Sequence, residues 1–289
     1  NNNTLINETS SDIENVINKF MDAELGIINK LKIFDKEYQV DDVSKIQSKG
    51  LAKAFLSRTD YYSNIHGMYN NKKDGPLSEE EWKKQSAILN KLLADGNSER
   101  ERAVIYATYI ATMYPNKLKY ILGGNHCKTK DEYMGLDSTW GYPKDTDSKI
   151  DYMDCSAFVL RCLLNGGYNK NDNKFEHPSY APGGYDVSAE VLKNQGVCTE
   201  FTNNADVRAG DIVNISGGGG GDDHVGIIID VDKNNNRMTV AHSSGSGGMN
   251  LTTIDMSSGN VIQDSNNTDR EGKPYFQTVT RIPYEDESE

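Results

Sequence analysis

The chain has 289 residues, and 43 acidic against 31 basic side chains leave it a net charge of −12. No basic block or stripe runs through it, which argues against a nucleic-acid partner, and no run of about 18 apolar residues marks a membrane span. The length fits one large or two smaller domains. The 4 cysteines, with no CxxC pair, suit neither a disulfide scaffold nor a structural zinc site.

The first part of the chain reads as helices. Ser11 and Glu14 have capping-box spacing, and Ile13, Val16, Ile17, Phe20, Met21, Ile28 and Leu31 follow at helical intervals. A second helical stretch runs over 43–56, and Gly75-Pro76 breaks the chain. Ser78 with Glu81 predicts a helix ending near Asp95-Gly96. Ser98 with Glu101 predicts another, carrying Val104, Ala107, Ile110 and Ala111 and stopping before Pro115.

The character changes after Pro115. Residues 123–150 form a Gly- and Asp-rich loop, in which Trp140-Gly141-Tyr142 either lines a cleft or anchors the loop. Residues 155–165 predict a short helix that Asn165-Gly166-Gly167 ends. Strands are expected over 212–215, 225–231, 238–241 and 276–282, with a hairpin turn at 233–236. The acidic tail 285–289 reads as disordered. Helices first and strands later predict an α+β fold.

Three segments carry reactive side chains. In YMDCSAFVLRCLLNGG, Cys155 falls at the first turn of the predicted helix. A helix start offers unpaired N–H groups and partial positive charge, which favour a thiolate and can bind an oxyanion. Cys162, on the same helix face, reads as a buried apolar residue. In GGGGGDDHVGIIIDV, His224 stands where a polar loop enters an apolar strand. In VAHSSGSGG, His242 lies one hairpin later, where adjacent antiparallel strands could set the two imidazoles side by side. A neutral His242 would then orient His224 and fix its tautomer. His66, His126 and His177 read as surface residues. The glycine run 217–221 lacks the Lys-Ser/Thr of a phosphate loop and reads as a flap beside His224. Residues 230–236 lack the Gly and closing Glu of a calcium loop.

The order DCSAF, GDIV, HVGIII, AHSSG resembles that of NlpC-type cell-wall cysteine peptidases. The resemblance covers residues 98–284 and implies a papain-like fold, with the helix bearing the nucleophile packed on an antiparallel sheet. It implies Cys155 as nucleophile, His224 as base and His242 as the orienting third residue. KYILGG, residues 119–124, is similar to the family's Y-V-W-G-G segment and makes Tyr120 a candidate for the substrate cleft. Asp154 and Ser156 flank the nucleophile and, by the same resemblance, are candidates for binding the free amine of a peptide stem. Ala157 stands where the family has Gly, and Leu122 where it has Trp.

The function so implied is hydrolysis of peptidoglycan stem peptides, at the bond between γ-D-Glu and the diamino acid, with no metal or organic cofactor. The partner is the peptide stem, and the setting is secreted or wall-associated in a bacterium, with no signal or anchor segment expected within these residues. Two other classes stay open: an N-acetylmuramoyl-L-alanine amidase or other amidase or acyltransferase using the same pair, and an inactive wall-binding module. Residues 1–97 are expected as a separate helical region of unassigned role, divided from the hydrolase at Asp95-Gly96-Asn97.

Overall fold

The computed structural model describes residues 51–56, 77–113, 118–120, 141–143, 153–168, 184–186, 189–200, 206–215, 224–245, 248–265 and 267–285. The Ser11–Glu14 capping box, Cys127, Trp140, the glycine run, the residues 286–289 and His66, His126 and His177 lie outside them.

In chain order the described elements are helices α1 (Leu51–Leu56), α2 (Glu79–Asp95) and α3 (Glu99–Met113), strand β1 (Gly141–Pro143), helix α4 (Cys155–Gly166), strand β2 (Gly184–Asp186), helix α5 (Ala189–Lys193) and then strands β3 (Val197–Glu200), β4 (Ile212–Ile215), β5 (His224–Asp232), β6 (Arg237–Ser244), β7 (Gly248–Asp255), β8 (Val261–Asp264) and β9 (Thr278–Arg281). The fold is α+β, as the order of helical and strand periodicities predicts.

Helix α2 starts on the expected capping box. Ser78 Oγ accepts the Glu81 N–H at 3.2 Å, and the Glu81 carboxylate accepts the Ser78 N–H at 2.8 Å. At the start of α3 only half of the box forms. Ser98 Oγ accepts from the Glu101 N–H at 3.0 Å, but the Glu101 carboxylate turns to the backbone and side-chain amides of Asn97.

Residues 103–112 of α3 are all buried. A helix with no wet face over three turns must be covered on every side. Toward the N-terminal part, the Phe55 and Tyr109 rings lie 6.0 Å apart and the Tyr109 hydroxyl donates to Gln85 Oε1. Toward α4 the approach is close: a Cβ on Gly166 would lie 2.7 Å from the Glu99 carbonyl oxygen. Ala52, Phe55, Leu77, Leu89 and Leu92 share one apolar core with α3, α4 and the sheet. The break at Asp95-Gly96-Asn97 is therefore a turn between packed helices, and the core runs on across it.

Among the described residues seven strands form one sheet in the order β3-β9-β4-β5-β6-β7-β8, and every adjacent pair is antiparallel. β1 and β2 pair separately. The strands alternate between two buried faces. Val225, Ile227, Ile229, Ala241 and Leu251 face the helices, while Val213, Ile228, Met238, Val240 and Ile254 build a second apolar cluster with Val207, Phe276 and Val279. The turn 233–236 joins β5 to β6 as the sequence predicts; Asp232 Oδ1 accepts the N–H groups of Asn234 and Asn235, each at 3.1 Å. Expectation and structure part at the C-terminal end. The predicted strand 276–282 shortens to Thr278–Arg281, and β7, β8 and β3 carry no strand prediction at all. No described helix is long and apolar enough to cross a membrane.

Candidate active site

Helix α4 presents Cys155 at its first position. Asp154 is the N-cap: its Oδ1 accepts the Ala157 N–H at 2.8 Å and the Ser156 hydroxyl at 3.1 Å. At the other end Gly167 adopts φ 103°, the left-handed cap for which glycine is suited, and closes the helix onto Leu163 and Leu164 carbonyls. The nucleophile candidate is thus fixed by local chemistry at both ends of a twelve-residue helix.

The environment of Cys155 differs from the expectation of an acidic thiol. Cys155 is 7% exposed and belongs to the main core. Burial, followed by the charge of Asp154, pushes the thiol up to about 12. The backbone N–H groups of Val225, Ser156 and Cys155 oppose this rise without overcoming it. The helix start does supply its N–H groups, yet desolvation wins, so the resting group is a thiol rather than a thiolate. The N–H of Val225 also places the sulfur beside the start of β5, whose first residue is His224.

The two imidazoles meet as the hairpin reading predicts. His224 opens β5 and His242 lies near the end of β6. Their Nε2 and Nδ1 atoms are 2.8 Å apart, and the rings stand edge to face with centroids 4.9 Å apart. The register explains the meeting. Ile227 faces Ala241, so His224 and His242 share one sheet face as diagonal neighbours. Gly226 leaves room for this pairing, since a Cβ there would press within 3.2 Å of His242 Cβ. Burial, then the neighbouring His242, holds His224 well below the ordinary imidazole range; burial, then Arg270, lowers His242 to about 3.

These shifts carry a stability consequence. Both histidines are neutral in the folded protein but protonate near pH 6.5 when unfolded. Their contribution is complete above pH 6.5 and is lost as pH falls from there toward the folded values. Urea titrations between pH 7 and pH 5 are expected to show stability falling by up to about 1.4 kcal/mol per pH unit for each histidine, and the double variant His224→Gln/His242→Gln to lose most of that slope. An unchanged slope in the double variant would show that the two rings are not buried neutral.

Tyr120 is half-buried, and burial followed by the proximity of Cys155 and Asp154 raises its phenol. Segment 118–120 is seated by the Met153 N–H, which donates to the Lys119 carbonyl at 2.9 Å, and by the start of β7. There Gly248 has φ 93°, and a Cβ would fall 2.1 Å from the Leu118 oxygen, so only glycine fits. Asp154 and Ser156, expected to meet substrate, are buried and bonded to each other and to the helix start. Cys162 is fully buried, as predicted. Among the described residues no three His, Cys, Asp or Glu side chains gather as a metal site.

Sequence reasoning missed five residues here. Tyr275 and Phe276 wall the histidines: Phe276 stacks on His224 at 6.0 Å, and Tyr275 lies 5.9 Å from both rings. Burial raises Tyr275 to about 12, with Cys155 among the contributing neighbours. Behind His242 stand Thr252, Asp264 and Arg270, on β7, the end of β8 and the turn after it. None sits in a short motif, and only strand pairing brings them to the site.

The site therefore holds a buried cysteine at a helix start, bonded to the N–H of Val225, and, at the preceding residue of β5, the first of two hydrogen-bonded histidines. No family model, curated protein or solved structure matches the chain.

Proposed function

We propose that this chain is a papain-like cysteine hydrolase of amide bonds in peptidoglycan stem peptides, acting through Cys155 and His224. The observation that carries the reading is the His224–His242 contact of 2.8 Å, next to a cysteine whose sulfur meets the N–H of Val225. A nucleophile, a base and a group that orients the base is the minimum set for acyl transfer. The order of the four sequence segments, and their resemblance to NlpC-type peptidases, supports the substrate class and the bond between γ-D-Glu and the diamino acid.

In this mechanism the resting pair is neutral thiol and neutral imidazole. As Cys155 Sγ attacks the carbonyl carbon, its proton passes to His224, whose depressed basicity lets it give that proton up again to the leaving amine. The Cys155 N–H, at the helix start, is the expected oxyanion donor. Water then releases the acyl group from sulfur by the reverse sequence. Tyr120 and Tyr275 are the candidate walls for the stem peptide, because both phenols lie within electrostatic reach of the sulfur.

Mass spectrometry of purified muropeptides after digestion tests the reading. Expected are two fragments, one ending in D-Glu and one with a new amine on the diamino acid. A free lactyl group with a new L-Ala amine would identify an amidase instead. Intact muropeptides and a protein that still binds walls would leave a binding module.

A further inference from the structure

We infer that Thr252 and Asp264 are positioning residues that dictate which nitrogen of each histidine carries its proton, and so which nitrogen of His224 serves as base. The inference rests on the Cys155–His224 reading and extends it two residues beyond His242, along the bonds His224–His242–Thr252–Asp264.

Asp264 is fully buried and receives donors on both oxygens: Asn250 Nδ2 at 2.9 Å and the Asn267 N–H at 2.8 Å on Oδ1, and the Thr252 hydroxyl at 2.9 Å and Arg270 Nη1 at 3.2 Å on Oδ2. The Asn250 amide is itself oriented. Ser265 Oγ accepts the Leu251 N–H at 2.9 Å, so its own proton goes to Asn250 Oδ1, which leaves the NH2 aimed at Asp264. Both oxygens of Asp264 are thereby occupied as acceptors.

A threonine hydroxyl has one proton. That proton is committed to Asp264, so toward His242 the Thr252 oxygen only accepts. His242 Nε2, 2.8 Å away, must then carry the ring proton. His242 is a neutral imidazole, so its Nδ1 is bare and accepts. The proton in the 2.8 Å contact between the rings therefore belongs to His224 Nε2. His224 is left with Nδ1 as its lone pair, the nitrogen free to take the Cys155 proton. The opposite assignment would set the bare His242 Nε2 against the Thr252 oxygen, two lone pairs 2.8 Å apart, and would leave His224 Nδ1 protonated and unable to take the Cys155 proton. Without Thr252, His242 loses the acceptor that selects its tautomer, and both rings become free to exchange.

Long-range 1H–15N correlation spectra of the full chain with labelled histidines read the tautomers directly, without substrate. In the wild-type protein His224 and His242 are both expected as Nε2–H. Thr252→Val, which keeps the shape and removes the hydroxyl, is expected to move His242 to mixed or Nδ1–H tautomers and to lower kcat about 10- to 100-fold with little change in KM. Thr252→Ser is expected to restore the wild-type tautomers, and Asp264→Asn to disturb both rings. A wild-type His242 found as Nδ1–H, or an unchanged tautomer in folded Thr252→Val, overturns the inference. If Thr252→Val does not fold, the wild-type spectrum still decides. Tautomers as expected in a protein that cuts no muropeptide would leave the relay standing and remove the hydrolase reading instead.

Discussion

Cys155→Ala is expected to lower hydrolysis of muropeptides by about 10,000-fold or more while the protein stays folded. The sulfur is the only proposed bond-forming atom, and no neighbouring hydroxyl replaces it: Ser156 Oγ is committed to Asp154. The cost in stability is small for a specific reason. Cys155 stands at the first position of α4 and is 7% exposed, so removing its one sulfur atom leaves only a small void. A net change within about 1 kcal/mol is expected. Cys162→Ala supplies the contrast. That residue is fully buried away from the histidines, and its replacement should cost about 1 kcal/mol or more through a cavity while turnover persists. Turnover by Cys155→Ala at the wild-type rate would end the proposal, whatever the histidines do.

Removing residues 1–96 is the second large effect, and it falls on the fold. The polar break at Asp95-Gly96-Asn97 suggests that a fragment from Asn97 keeps a complete catalytic unit, since Cys155, His224 and His242 all remain. The packing argues otherwise. Phe55, Leu77, Leu89 and Leu92 insert into the core that α3 shares with α4 and the sheet. Their departure uncovers a comparable apolar area, including the ring of Tyr109, 2% exposed in the whole chain. At about 1.5–3 kcal/mol per large side chain, four such losses reach roughly 6–12 kcal/mol as an upper bound, the size of a whole domain's stability. The Ala52 N–H to Asp95 carboxylate bond, 2.8 Å, goes as well. The fragment is expected to be insoluble, or to show no cooperative thermal transition by circular dichroism. A soluble fragment that melts cooperatively and cuts muropeptides would restore the boundary at residue 97.

The sequence alone determined whatever depends on neighbours along the chain. The Ser78 capping box, the αL glycine at 167, the turn 233–236 and the helix that starts at Cys155 are all set by side chains within four residues of the backbone they serve. The juxtaposition of His224 and His242 was legible too, because a hairpin converts a spacing of 18 residues into adjacency. The tertiary structure decided what depends on burial and on register between distant strands. That Cys155 is a high-pKa thiol follows from desolvation, which no local pattern records. Thr252 and Asp264 stand behind His242 only because β6 pairs with β7 through His242 and Asn250, and β7 with β8 through Thr252 and Asp264. A slip of one residue in either pairing would turn those side chains to the other face of the sheet.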